Sequence, residues 1–150
     1  MTGRNMLPIA ISAICLSLAM TSAQAQKMVS VDRPEANLRA GAGTKHKVIW
    51  VLSRGYPLEV LGRSGNWLKV RDFERDVGWI YKPLTSSKPH QIVKSRVANI
   101  RSGPGTGNRI LGQAEYGEVM RTLENKSKWA KVRNGKGLVG WIAKSLLWGW

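Results

Sequence analysis

The chain has 150 residues and a formal net charge of +15, from 24 Lys and Arg against 9 Asp and Glu, with one cysteine and two histidines. Cys15 stands alone, which excludes a disulfide framework and a cysteine metal site. The positive charge attracts polyanions such as nucleic acid, acidic glycans or lipid headgroups without choosing among them, and serves solubility as well.

Residues 1–25 read as a secretory signal peptide. Arg4 supplies the positive start, Leu7 to Met20 the apolar run, and Ala23-Gln24-Ala25 an A-x-A cleavage site. The run is short for a membrane span of about 20 residues. An uncleaved anchor is the alternative. Cys15 lies inside the run behind Ile14, not behind the small residue a lipobox needs. Cleavage after Ala25 removes one basic residue and the only cysteine, so the mature chain carries 23 basic and 9 acidic side chains and no thiol. The expected destination is the periplasm or the cell exterior.

The first module is expected over residues 28–84. Met28 to Val31 is a short opening strand, broken by Pro34. Ala36 to Arg39 alternates, with Ala36 and Leu38 inward and Asn37 and Arg39 outward. Gly41 and Gly43 permit a tight turn. Val48 to Leu52 is an apolar run of strand length, and Gly55-Tyr56-Pro57 turns the chain into a strand holding Leu58, Val60 and Leu61. Arg63 to Asn66 has the composition of a hairpin turn. Trp67 to Val70 puts Trp67 and Lys69 on one face and Leu68 and Val70 on the other. A charged loop, Asp72 to Asp76, leads to a last strand, Val77 to Tyr81. Thr85 to Gln91 is polar, contains Pro89, and reads as a linker that permits some swing but is short enough to keep the modules in contact.

The pattern then restarts over residues 92–146. Ala98-Asn99-Ile100-Arg101 repeats Ala36-Asn37-Leu38-Arg39, Trp129 repeats Trp67, and Val139-Gly140-Trp141-Ile142 repeats Val77-Gly78-Trp79-Ile80. The offset is 62 residues at every landmark, with no gap, which marks a duplicated structural unit. Asn134-Gly135 replaces Asp72-Phe73 and signals a type I′ hairpin. The tail, 147–150, has no counterpart in the first copy. It is expected to pack back onto a module or bridge both, or else to form a sticky end.

No segment shows a sustained 3.6-residue period, so the fold class is all-β: two small barrels of about 60 residues, each burying only about 60% of its unfolded surface. Both copies closely match the motifs N-[LIV]-R-x-G-x-[GS]-T, G-x-x-[LV]-x-V, G-x-W-x-x-V and GW[VI], and in them the chain resembles the bacterial SH3 domain family. The second copy departs at Thr122, where the family prefers an apolar residue and the first copy has Val60. The resemblance implies an SH3-like barrel of five or six strands per copy. It also implies a targeting module, since members sit beside cell-wall hydrolases and are thought to bind peptidoglycan or its peptides. Related GW modules bind anionic surface polymers, and Gly78-Trp79 and Gly140-Trp141 look like their dipeptide.

Catalysis needs positioned acids, bases or a nucleophile. His46 lies in a Lys-rich turn and His90 in the linker, neither beside a matched acid, and no metal-ligand spacing or cofactor motif is found. Gly103-Pro104-Gly105-Thr106-Gly107 lacks the Lys-Ser/Thr of a phosphate loop. The expectation is therefore a binding protein, not an enzyme. Aromatics beside cations suit sugars, peptides and polyanions. The candidate ligand-binding residues are Arg39, Tyr56, Trp67, Trp79 and Tyr81 in the first module and Arg101, Tyr116, Trp129 and Trp141 in the second. Packing is the competing role for the tryptophans, and bracing of the first turn for the two arginines. The expected partner is peptidoglycan or another anionic envelope polymer, with an envelope protein as the alternative. Export argues against nucleic acid.

Overall fold

The structure, a computed structural model, describes residues 27–150. The leader read at residues 1–25 lies outside the described residues.

The first module contains β1 (Met28–Val31), β2 (Glu35–Arg39), β3 (Val48–Ser53), β4 (Pro57–Ser64), β5 (Trp67–Arg71) and β6 (Val77–Tyr81). A 3-10 turn at Lys82–Leu84 follows, then β7 (Thr85–Ser86). The second contains β8 (His90–Val93), β9 (Val97–Arg101), β10 (Ile110–Glu115), β11 (Val119–Lys126), β12 (Trp129–Arg133) and β13 (Val139–Ala143). It too ends in a 3-10 turn, Lys144–Leu146, and a short strand, β14 (Leu147–Gly149). The strand orders are β3-β2-β6-β5-β4-β1-β7 and β10-β9-β13-β12-β11-β8-β14, antiparallel throughout. The two sheets are thus one topology written twice.

Each sheet curls around its own core. Val29, Val31, Leu38, Leu58, Val70 and Ile80 pack together in the first module, and Val93, Ile100, Met120, Val132 and Ile142 in the second. The alternation read in β2 and β5 is the observed one: Ala36 and Leu38 are buried, as are Leu68 and Val70. Bulges at Val60/Gly62 and Thr122/Glu124 fall at the same point of β4 and β11. An extra residue there lets one long strand bend around the core.

The structure corrects some of these expectations. The linker and the tail are the same element. Thr85–Ser86 pairs with β1 as Leu147–Gly149 pairs with β8, so each sheet has seven strands rather than five or six. The connection between modules shrinks to Ser87–Pro89 and is held on both sides. Ser30 Oγ and the His90 ring both meet Lys88 O, at 2.8 and 2.9 Å, and Thr122 N donates to Pro89 O at 3.1 Å. The connection is thus tied to both modules.

The tail packs back onto the second module, the first of the two expectations for it. Trp150 N donates to His90 O at 3.1 Å, and Thr122 Oγ1 donates to Trp150 O at 2.5 Å. This accounts for the departure at Thr122: a buried hydroxyl is kept because the tail supplies its acceptor. Finally, Asn134-Gly135 forms no type I′ turn, which needs positive φ at both central residues. The left-handed residue is Gly137, at φ 87°. Asn134 Oδ1 instead accepts from Lys136 N and Leu138 N, as Asp72 Oδ1 accepts from Glu74 N and Asp76 N.

Candidate functional site

The Asn-x-Arg that opens each module builds the first turn. Arg39 Nη1 donates to Thr44 O and His46 O at 3.1 and 2.9 Å; Arg101 Nη1 donates to Thr106 O and Asn108 O at 2.9 and 3.0 Å. Bracing of the loop is therefore their first role in both copies. The bonds use one nitrogen of each guanidinium.

The Gly-Trp pairs are also structural. A Cβ on Gly78 would lie 2.7 Å from Leu38 Cγ and 3.0 Å from Arg39 O; on Gly140, 2.5 Å from Ile100 Cγ2 and 2.8 Å from Arg101 O. Glycine is required because β6 and β13 cross β2 and β9 at backbone contact. Trp141 is 8% exposed and packs in the fold, so it offers no open face, contrary to its place among the candidates. Trp67, Trp79 and Trp129 are half-buried.

Three of the nine candidates converge. Trp67 and Tyr81 are direct cross-strand partners on β5 and β6, with ring centroids 5.4 Å apart and planes inclined at 46°. With Arg39, Asn37 and Thr44 they line a groove of about 450 Å³. The walls are aromatic, the floor belongs to the braced turn, and a guanidinium lies at one side. Such a surface stacks on a sugar or peptide face and pairs with a carboxylate. The second module does not repeat it. The residue equivalent to Tyr81 is Ala143, and Trp129 lines a cavity of about 380 Å³ with Ala143, Lys128 and Lys144.

Tyr56 and Tyr116 go elsewhere. Their rings flank Phe73, with centroids 6.3 and 5.4 Å away, where the two modules meet. Tyr116 Oη donates to Glu74 Oε1 across that seam. Burial, then the nearby Asp72 and Glu74 charges, push the Tyr56 hydroxyl far above its ordinary value. Phe73 was not among the candidates. Its signal lies in a loop that changes chemistry between copies: Asp72-Phe73-Glu74 against Asn134-Gly135-Lys136.

No group of three His, Cys, Asp or Glu side chains among the described residues is placed to hold a metal ion. No helix among them is long and apolar enough to cross a membrane.

Comparison with known proteins agrees with the repeat. Two family models, both described as "Bacterial SH3 domain", match residues 32–87 and 96–147. The chain is 22% identical over 136 residues to the Bacillus subtilis (strain 168) protein named "Putative N-acetylmuramoyl-L-alanine amidase YrvJ", covering 83% of this chain and 26% of that protein. It is 31% identical over 61 residues to "Probable cell wall amidase LytH" of Staphylococcus epidermidis, covering 40% of this chain and 21% of that one. The chain thus spans about a quarter or less of these relatives' length. The solved structure of NlpC2 from Trichomonas vaginalis overlays 85% of this chain and 49% of that one, at 17% identity and a TM-score of 0.39. Matches to both halves, over two copies of one strand order, show that the chain belongs to the bacterial SH3 domain family and carries two of its domains in tandem.

Proposed function

We propose that this is an exported, non-catalytic binding protein of the bacterial cell envelope, whose first module grips peptidoglycan or another anionic envelope polymer. The observation that carries this reading is the Arg39, Trp67 and Tyr81 groove, which joins a paired aromatic platform to a guanidinium, a pairing the second module lacks because Ala143 stands where Tyr81 does. The names of the relatives, "Putative N-acetylmuramoyl-L-alanine amidase YrvJ" and "Probable cell wall amidase LytH", support a wall polymer as the target. The excess of basic residues supports an anionic one. The second module serves as a prop that fixes the first.

The test is co-sedimentation of the mature protein with purified sacculi at low and moderate salt. Retention in the pellet at both supports the reading, and a protein left in the supernatant at both contradicts it. One observation favours a protein partner instead. β3 ends its sheet and exposes Ile49, Trp50 and Val51, the last two at 50% and 58%. A partner strand pairing along that edge would be found by cross-linking in envelope extracts and lost on substitution of Val51, not of Tyr81.

A further inference from the structure

The seam between the modules holds a second cavity, of about 250 Å³, whose chemistry is opposite to that of the rest of the chain. Its walls include Trp50, Tyr56, Phe73, Asp72 and Glu74 from the first module and Gly117 from the second. Against 23 basic residues outside the leader, the chain has nine acids, and three fall within five residues here, at Asp72, Glu74 and Asp76. None of the three is ion-paired. The ion pairs among the described residues are Arg71 with Glu59 at 2.6 Å, and Arg33 and Lys88 with Asp32 at 3.7 and 3.6 Å. The neighbouring cations Arg71, Arg75 and Lys94 line another cavity with Trp148, on which Asp72 and Phe73 also border, and none of them comes within ion-pair distance of Asp72.

An unpaired carboxylate that is only 3% exposed is costly. Asp72 turns Oδ1 onto two backbone N–H groups, at 3.0 and 2.8 Å. Its carboxyl is nonetheless held above the usual range, by burial first and by the neighbouring Asp76 and Glu74 charges. Glu74 and Asp76 are tied to aromatic donors rather than cations: Tyr116 Oη to Glu74, and Trp50 Nε1 to Asp76 Oδ2 at 3.0 Å. The second module carries Asn134, Lys136 and Leu138 at the three acidic positions, with Gly135 for Phe73 and Gly112 for Trp50. The same loop is built there, on the same side-chain turn, without acids or rings. The acids and aromatics are therefore not needed to form the loop.

We infer that the seam is a binding site for an organic cation, a primary ammonium on an alkyl chain, seated between the aromatic walls with its charge toward Asp72 and Glu74. The acids do not converge in the manner of a metal cage, whereas ring faces within about 6 Å of a cation attract it. The volume admits a lysine-type side chain or a short diamine and excludes a disaccharide. The site is independent of the groove beside Tyr81 and stands or falls without it.

The test is an NMR titration of the mature protein with cadaverine and, separately, with Nα-acetyl-lysine methylamide. The Nε-acetylated form of the latter is the neutral control. Saturable shifts of the Trp50 indole and the Gly117 amide with an amine, absent with the neutral control, support the site. Shifts with cadaverine alone identify a free diamine, and shifts with both identify a lysine-type side chain. Asp72→Asn keeps the two backbone acceptor bonds, as Asn134 does, and Glu74→Gln keeps the acceptor for Tyr116. Each is expected to weaken amine binding at least tenfold while leaving sacculus binding unchanged. Equal response to the neutral control, no saturable shift with either amine, or unchanged affinity in both variants overturns the proposal.

Discussion

Gly140→Ala separates two accounts of the Gly-Trp dipeptide, one in which it is a packing requirement and one in which it is a ligand motif. The new Cβ would lie 2.5 Å from Ile100 Cγ2 and 2.8 Å from Arg101 O. Ordinary contact is near 3.4 Å or more, so β13 must move off β9 by several tenths of an ångström or Ile100, fully buried, must leave its place. Overpacking of this kind costs about 1–3 kcal/mol. Alanine recovers about 0.4–1 kcal/mol by restricting the unfolded chain. The net loss is about 1–2 kcal/mol, which lowers Tm by roughly 5–15 °C for a domain of this size. Thermal unfolding followed by near-ultraviolet circular dichroism reads the change. Gly135→Ala, where a Cβ meets nothing within 4 Å, is the control and is expected to leave Tm within about 2 °C. A Gly140→Ala protein as stable as the parent would refute the packing account, as would sacculus binding that falls while stability holds.

Thr122→Val removes the hydroxyl that holds Trp150 O and is expected to destabilise the second module by about 1 kcal/mol, measured by urea unfolding. Asp72 is held above its ordinary value of 3.8, so the unfolded chain ionises first. Its contribution is most favourable below that pH and is lost as pH rises toward the higher folded value. Asp72→Asn should therefore raise stability at pH 7 and flatten the acid limb of the stability profile; a protein less stable at pH 7 would contradict this. Arg75 holds a left-handed φ of 72° where the second module has Gly137. Left-handed backbone costs an L-residue about 1–2 kcal/mol and glycine's added freedom about 0.5–1 kcal/mol, so Arg75→Gly is expected to be neutral or stabilising by up to about 1 kcal/mol in the same unfolding assay.

The duplicated barrel was legible because side-chain alternation and the 62-residue register act at every strand. The buried faces of β2 and β5 follow directly from Leu38 and Leu68. Elements held by backbone alone were not legible. Thr85–Ser86 and Leu147–Gly149 share a ladder but no side-chain pattern, so one read as linker and the other as tail. An apolar run shows a strand, not its place in the sheet, and Val48–Ser53 proved to be an exposed edge. The letters Arg39 and Arg101 do not tell whether a guanidinium is spent on its own loop, and Trp79 and Trp141 differ in exposure although their motifs match. Of the nine candidates, Arg39, Trp67 and Tyr81 meet in a groove because strand register sets Trp67 opposite Tyr81. Tyr56 and Tyr116 meet through Phe73, whose importance only a comparison of the two loops reveals.

The proposal that the first module is the gripping one is tested most directly by sacculus affinity across three matched proteins: the parent, Trp67→Ala/Tyr81→Ala, and Trp129→Ala. The groove predicts at least a tenfold loss in the double variant and a change within about twofold in Trp129→Ala. A double variant that pellets like the parent, or a Trp129→Ala protein that loses as much, would contradict it.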